Sequence, residues 1–316
     1  MATTTLPPGA PPPLDLSGDA RRHRRERAIG VAFFAAAAVS VVVSAAIVLS
    51  LFIKGWEFIS QAEWGEVLTA DTWNPRQNAF GIQPLVISSL IVTGIAMMVA
   101  VPLGLGAAIY LSEFANPRVR GLLKPILEVL AGVPSVVLGF FALGWIAPHV
   151  VGRLFGEENG RTGSMLAAGI GVGILTIPLV ASVSEDAMRA VPSALREASA
   201  GLGARRMTTT LRVVLPAAVS GLVAAFILAV SRAIGETMVV FIAAGAATVG
   251  NFSTNPLDSG LTMTAGMASL ATGTESVKGA SLAYPSLFMI GIVLFFLTLG
   301  LNIVGNRFVR RVRQAY

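Results

Sequence analysis

From Ala28 to Ile53 the chain runs for 26 residues without a charged side chain, and five further stretches are nearly as apolar. A continuous apolar run of this length crosses the roughly 30 Å hydrocarbon core of a bilayer as a helix, which pairs every backbone donor and acceptor internally. The six candidate spans are 28–53, 83–110, 122–147, 163–184, 214–245 and 283–306. Composition points the same way: 13% of residues are charged, against about 25% in a soluble domain. The sequence therefore predicts an all-α, polytopic membrane protein with six transmembrane helices.

Residues 1–27 read as a disordered, basic tail, with Pro7, Pro8 and Pro11 to Pro13 followed by RRHRRER. A basic stretch before an apolar one is also the layout of a signal peptide. Here the apolar part is about twice the usual length of a signal core, so the first helix is expected to be retained. A second basic tail covers 307–316. With six crossings both termini share a side, and that side receives 17 of the 23 Lys and Arg residues while the other receives five. The bias places both termini in the cytoplasm of a cell membrane. The net charge of +6 thus reflects topology, and no basic face with groove-reading elements points to nucleic acid. There is no cysteine, and His23 and His149 are far apart without a carboxylate cluster. A disulfide, a thiol nucleophile and a metal site are not expected.

Pro84 and Pro102 in the second span and Pro178 in the fourth are tolerated where neighbours satisfy the freed carbonyls. Gly169 and Gly173 form a G-x-x-x-G, which predicts close helix packing. The segments 54–82 and 246–282 fall outside, and Trp56, Trp64 and Trp73 in the first suit a membrane-surface belt or interfacial packing. Glu128, in the third span as drawn, is the other candidate, besides Glu236, for an intramembrane acid; the alternative is that it sits near the cytoplasmic end and snorkels, or pairs with a basic neighbour.

SRAIGETM, Ser231 to Met238, puts an arginine and a glutamate inside the fifth span. Each costs about 2.5–3.5 kcal/mol at the centre of a membrane helix. On a continuous helix from Pro216 to Gly245, Arg232 would lie about 24 Å from one end and about 20 Å from the other. Arg232 and Glu236 would then share one helical face. An ion pair, or a pair of contacts to other helices, that only locks packing is one reading. The other is a face lining a translocation path, where the guanidinium fork meets an oxyanion and Glu236 offsets its charge. Thr237 adds a candidate hydroxyl.

The connection between the fourth and fifth spans, about 185–216, is longer than two membrane helices need, and reads as two short helices. Ser193 is a candidate N-cap, and Gly203 a left-handed stop. Leu195, Ala198 and Leu202 make a small apolar stripe suited to the lipid interface or to a groove in a soluble partner.

Glu197-Ala198-Ser199, Gly203 and Val213-x-Leu215-Pro216 resemble the E-A-A-x-x-x-G-x9-I-x-L-P loop of ABC importer permeases, with Ser199 and Val213 as mild departures. YLSEFANPRVRGLLKPILEVLAGVPSVVLGFFAL and SRAIGETMVV narrow the resemblance to PstC-type permease subunits of phosphate-specific ABC transporters. The sister PstA-type subunit shares SRAIGET and the loop. The Leu123–Leu143 region and Met238-Val239-Val240 favour the C-type. The resemblance implies a type I ABC importer permease fold over 28–306, with the loop forming a coupling helix in a cleft of the ATPase. It implies four partners or partner types: a PstA-type second permease, two copies of a PstB-type ATPase, a PstS-type extracytoplasmic binding protein, and inorganic phosphate. Sulfate or another tetrahedral oxyanion stays open as the substrate. The chain's three lysines follow Ile53, Leu123 and Val277, so no glycine-lysine phosphate loop exists. The chain is expected to be non-catalytic and to bind no cofactor, with ATP and Mg used by the partner ATPase. A lone secondary transporter or channel would instead carry titratable residues in several spans and need no such loop. A purely structural membrane protein would have no reason to keep Arg232.

Overall fold

The computed structural model describes residues 20–245, 249–273 and 282–312. The expected disordered stretch before residue 20, Lys278 and Arg313 lie outside the described residues. The chain divides into two compact units, residues 1–50 and 51–316. Among the described residues, six helices are long and apolar enough to cross a membrane: Arg24–Gln61, Gln83–Phe114, Ser135–Phe155, Met165–Arg189, Arg206–Ile234 and Ala283–Arg311.

The first belongs to α1 (Ala20–Gln61), which begins inside the stretch expected as a tail. Its residues 24–50 are exposed on nearly every side, including Phe33, Phe34 and Val41. An all-round apolar surface of this kind is stable against lipid or another membrane helix. The chain continues through α2 (Trp64–Thr69), β1 (Thr72–Asn74) and β2 (Ala79–Phe80). Next comes α3 (Gln83–Ile109), which runs into a π-helical turn at Tyr110–Phe114.

The third span departs from expectation. Residues 122–147 do not form one helix: α4 (Pro117–Ala131) stops before Gly132-Val133-Pro134, and α5 (Ser135–Phe141) starts anew. Pro134 has no N–H to donate and pushes Val133 out of the helical region, so the break is dictated locally. The Asn116 side chain caps α4 by accepting the Val119 N–H at 2.9 Å, with Pro117 at the first helical position. The charges Arg118, Arg120, Lys124 and Glu128 fall on α4, and α4 is not one of the six spans. The span is α5, a π-helical stretch at Ala142–Val151 and α6 (Gly152–Phe155). Glu128 is therefore not an acid inside the third span.

After α7 (Glu157–Arg161) comes α8 (Met165–Arg189), capped by the Ser164 hydroxyl on the Ala167 N–H. The long connection holds α9 (Ser193–Gly201) and α10 (Arg206–Thr209). A π-helical turn at Thr210–Val214 leads into α11 (Leu215–Ile234). The remaining elements are α12 (Met238–Ala243), β3 (Gly250–Asn251), α13 (Met263–Ala271) and α14 (Ala283–Val312). The last carries helix through most of the stretch expected as a basic tail.

The most extensive helix pair is α3 with α8, and glycine makes it possible. A Cβ at Gly169 would come within 2.7 Å of Ile95 Cβ, and one at Gly173 within 2.8 Å of Val99 Cβ. The predicted G-x-x-x-G contact is thus the seam between these helices. Around it Val92, Ala96, Val172 and Leu175 join Ala142, Ile146, Val239 and Val240 in one buried cluster. A second cluster lies under the connections. There Trp73 and Phe58, both fully buried, pack with Phe80, Leu261, Met263 and Ile290. Trp73 is therefore a core residue and not part of a surface belt, whereas Trp56 and Trp64 are exposed. Its burial follows from the antiparallel sheet β2–β1–β3, which pairs Trp73 with Phe80 on one side and Gly250 on the other. β1 has three residues and β2 and β3 two each, an addition to an otherwise helical fold. It joins the two segments read from sequence as separate loops.

Candidate functional site

The fifth span also breaks. The helix carrying Arg232 ends at Ile234, Gly235 to Thr237 are non-helical, and α12 begins at Met238. Two carbonyls at this break accept from hydroxyls. The Thr264 hydroxyl donates to the Glu236 carbonyl at 2.7 Å, and the Thr237 hydroxyl donates to the Gly235 carbonyl at 3.3 Å. Arg232 and Glu236 consequently do not share a face of one helix. They form no ion pair in this structure, and among the described residues Arg232 has no hydrogen-bond or ion-pair partner.

Both nonetheless reach one space. Ser231, Arg232, Gly235 and Glu236 line a cavity of about 500 Å³ with Leu179 and Leu228. Arg232 and Leu179 also line a second cavity of about 300 Å³, walled by α4 and α8, that reaches Lys124, Glu128 and Glu185. Lys124 and Glu128 in turn line a third, of about 530 Å³, with Arg120 and Arg189. The cavities thus share walls in sequence, and a cation stands at each shared wall. Arg232 lines its cavity beside Leu175 and Leu179, residues near the middle of α8. Arg232 is itself exposed in this chain, so the cavity is open on its side. Thr237 lines none of the three cavities and turns back to the backbone.

Sequence reasoning missed Glu185. Its carboxylate is fully buried at the far end of α8, 2.6 Å from Arg120 Nη2 and 3.6 Å from Lys124 Nζ. The Arg120 contact is charge to charge, without a well-aligned hydrogen bond. Lys124 also stands 3.5 Å from the exposed carboxylate of Asp186. A short pair to Arg120 and two long pairs to Lys124 leave the ammonium the more loosely held cation. The signal available in the sequence was an acidic pair closing an apolar run, the same anomaly that marks Arg232.

The loop matches expectation in its turn and differs at its start. Gly203 has φ +79°. The Gly203 N–H bonds the Ala200 carbonyl at 2.9 Å and the Ala204 N–H bonds the Ser199 carbonyl at 3.1 Å. This is a Schellman stop, which needs a residue free of Cβ strain at Gly203. Ser193 is not the N-cap. Pro192 occupies that position without a side-chain bond, and Ser193 is the first helical residue. The expected apolar stripe splits, because α9 ends before Leu202. Leu195 packs inward with Met188, Val191 and Val214, whereas Leu202 is 89% exposed. Glu197, Ala198 and Pro216 are exposed, Leu215 is half-buried against the same cluster, and the Ser199 hydroxyl lies 2.8 Å from that of Thr209.

The profile of the family described as "binding-protein-dependent transport system inner membrane component" matches residues 100–314. The chain belongs to this family. The permease is similar to the probable ABC transporter permease protein YqgH of Bacillus subtilis, at 34% identity over 73% of this chain and 74% of the other. It is also similar to the phosphate transport system permease protein PstC of Mesorhizobium japonicum, at 31% identity over 88% of each chain. In fold it matches a chain of a bacterial ABC transporter involved in the import of alginate, with a TM-score of 0.63 at 12% identity. That match covers 93% of this permease and all of the other chain.

Proposed function

We propose that the chain is the PstC-type, membrane-spanning permease subunit of an ATP-driven phosphate importer. The observation that carries this reading is the unpartnered guanidinium of Arg232, set in the wall common to two cavities and level with the middle of α8. Arg232 is exposed in this chain taken by itself; a cation without a partner on a membrane-spanning helix is costly, and an oxyanion passing through supplies the missing partner. Arginine offers that oxyanion a planar fork. Glu236, on the non-helical turn of the same cavity, lowers the net attraction so that the anion is not trapped, and accepts a proton-bearing phosphate oxygen as a hydrogen-bond donor. From Arg232 the cavities lead toward Lys124 and then Arg120 and Arg189. Similarity to the Mesorhizobium PstC protein over most of the chain supports phosphate as the anion.

In this reading both termini are cytoplasmic. The chain works with a PstA-type permease, two PstB-type ATPases and a PstS-type binding protein. Glu197 to Gly203, with Leu202 at the tip, dock into the ATPase; Leu215 and Pro216 hold the loop's return. The chain itself binds no cofactor, and ATP and Mg act on the partner ATPase.

The test is phosphate uptake by the purified, reconstituted complex, with sulfate as competitor. Arg232→Lys keeps the charge and loses the fork; Arg232→Gln loses both. Both are expected to assemble and hydrolyse ATP while taking up phosphate at least tenfold more slowly, with Gln the slower. Native uptake by Arg232→Gln, or its failure to assemble, would make Arg232 a packing residue.

A further inference from the structure

Arg196 precedes the loop's Glu197 and points the other way. Its Nη2 donates to Glu113 Oε1 at 2.8 Å and its Nε to Glu113 Oε2 at 3.3 Å. The same guanidinium donates from Nη2 to the Met188 carbonyl at 2.8 Å and from Nη1 to the Val191 carbonyl at 2.7 Å. One side chain thus ties α9 to two places at once: the π-helical turn that ends the second span, and the last turn of α8 with its connection. Glu113 is 7% exposed, and its Oε1 also accepts from the Ser112 hydroxyl at 2.9 Å. The carboxylate is therefore fixed on its own side of the bond. Only a planar guanidinium can make this set of four; an ammonium is a point donor on a flexible stem.

The other end of α9 is tied as well. Ser199 Oγ meets Thr209 Oγ1 at 2.8 Å, and Thr209 closes α10, from which the chain runs without a break into α11. The helix is therefore anchored at Arg196 to the π-helical turn after α3 and to the end of α8, and at Ser199 to the segment leading to α11. Two of these helices wall the Arg232 cavity together with α4: α8 through Leu175 to Glu185, and α11 through Arg232 itself.

We infer that Arg196 is a positioning residue: its bracket onto Glu113 and the α8 end converts displacement of α9 into movement of the cavity wall. This rests on the reading of α9 as the ATPase-docking helix. It does not depend on which anion is carried. If the bracket transmits movement, loosening it leaves the ATPase bound and turning over while the cavity wall no longer responds. If it is only structural, loosening it impairs assembly or nothing.

The experiment uses the assembled complex and a single cysteine at Ser182, which lines the cavity on α8; the native chain has no cysteine. The labelling rate of Ser182→Cys is measured with and without ATP, alongside ATP consumed per phosphate taken up. In the otherwise native complex ATP is expected to change the rate severalfold. In Arg196→Lys and in Glu113→Gln the ATPase should still copurify and hydrolyse ATP. The change in labelling should shrink to near unity, and ATP consumed per phosphate should rise at least tenfold. An unchanged ATP response in both variants would overturn the inference, as would loss of the ATPase from both. If the native complex shows the ATP-dependent labelling but takes up no phosphate, the phosphate reading falls and the bracket is still judged by the labelling.

Discussion

The tie between α4 and α8 gives a prediction whose size can be worked from distances. Arg120 Nη2 is 2.6 Å from Glu185 Oε1. At an effective dielectric of about 20 that separation corresponds to about 6 kcal/mol of Coulomb attraction. The gross figure shrinks for two reasons. The Arg120 side chain is 24% exposed and keeps part of its hydration, and Lys124 remains 3.6 Å away when Arg120 is removed. Desolvation of the carboxylate offsets more. Arg120→Met should therefore destabilise the permease by about 2 kcal/mol. Glu185→Leu should cost less, because both cations can turn toward water. Arg120→Met with Lys124→Met leaves a fully buried carboxylate with no cation and should approach the roughly 3–5 kcal/mol of a broken buried pair. The double variant Arg120→Met/Glu185→Leu should be more stable than the sum of its singles predicts, by about 2 kcal/mol. The assay is unfolding of the purified protein in detergent against denaturant, with all variants at one pH and salt. Additive single effects within about 0.5 kcal/mol would mean that the cations do not hold Glu185, and the reasoning would be wrong.

Two further outcomes follow from the glycines. Gly203→Val places a β-branched residue at φ +79° and should abolish coupling or ATPase copurification while the chain still inserts; Gly203→Asn, which tolerates that region better, should retain most of both. Gly173→Leu drives a side chain into Val99, whose Cβ is 2.8 Å from the added Cβ. It should lower the midpoint of thermal aggregation and the yield of assembled complex. By contrast Gly106→Ala, with open space at its Cβ, should leave both near native.

The sequence by itself determined that the chain crosses a membrane six times as helix. Apolar runs of spanning length satisfy their backbone in lipid by forming helices. It also marked the face of α8 that another helix would approach closely, because a G-x-x-x-G permits an approach that larger residues forbid; that the partner is α3 came from the fold. The turn at Gly203 was legible for the same local reason, since its signature lies within a few residues. What failed were inferences that assumed helices stay continuous. Pro134 moved the third span and left Glu128 and Lys124 on a separate helix. The break at Gly235 removed Glu236 from the face of Arg232. At Gly132 to Pro134 the residues on both sides are apolar, so hydropathy carried no sign of the break; at Gly235 to Thr237 the charges stood out in the sequence, but did not say that the helix ends there. The tertiary structure alone decided the pairings between distant segments. Arg120 with Glu185 and Arg196 with Glu113 each join residues more than 60 positions apart, and no local pattern selects one partner among many charges. Trp73 shows the same limit: its burial is fixed by strand pairing with Phe80 and Gly250, contacts that exist only once the two connections have come together.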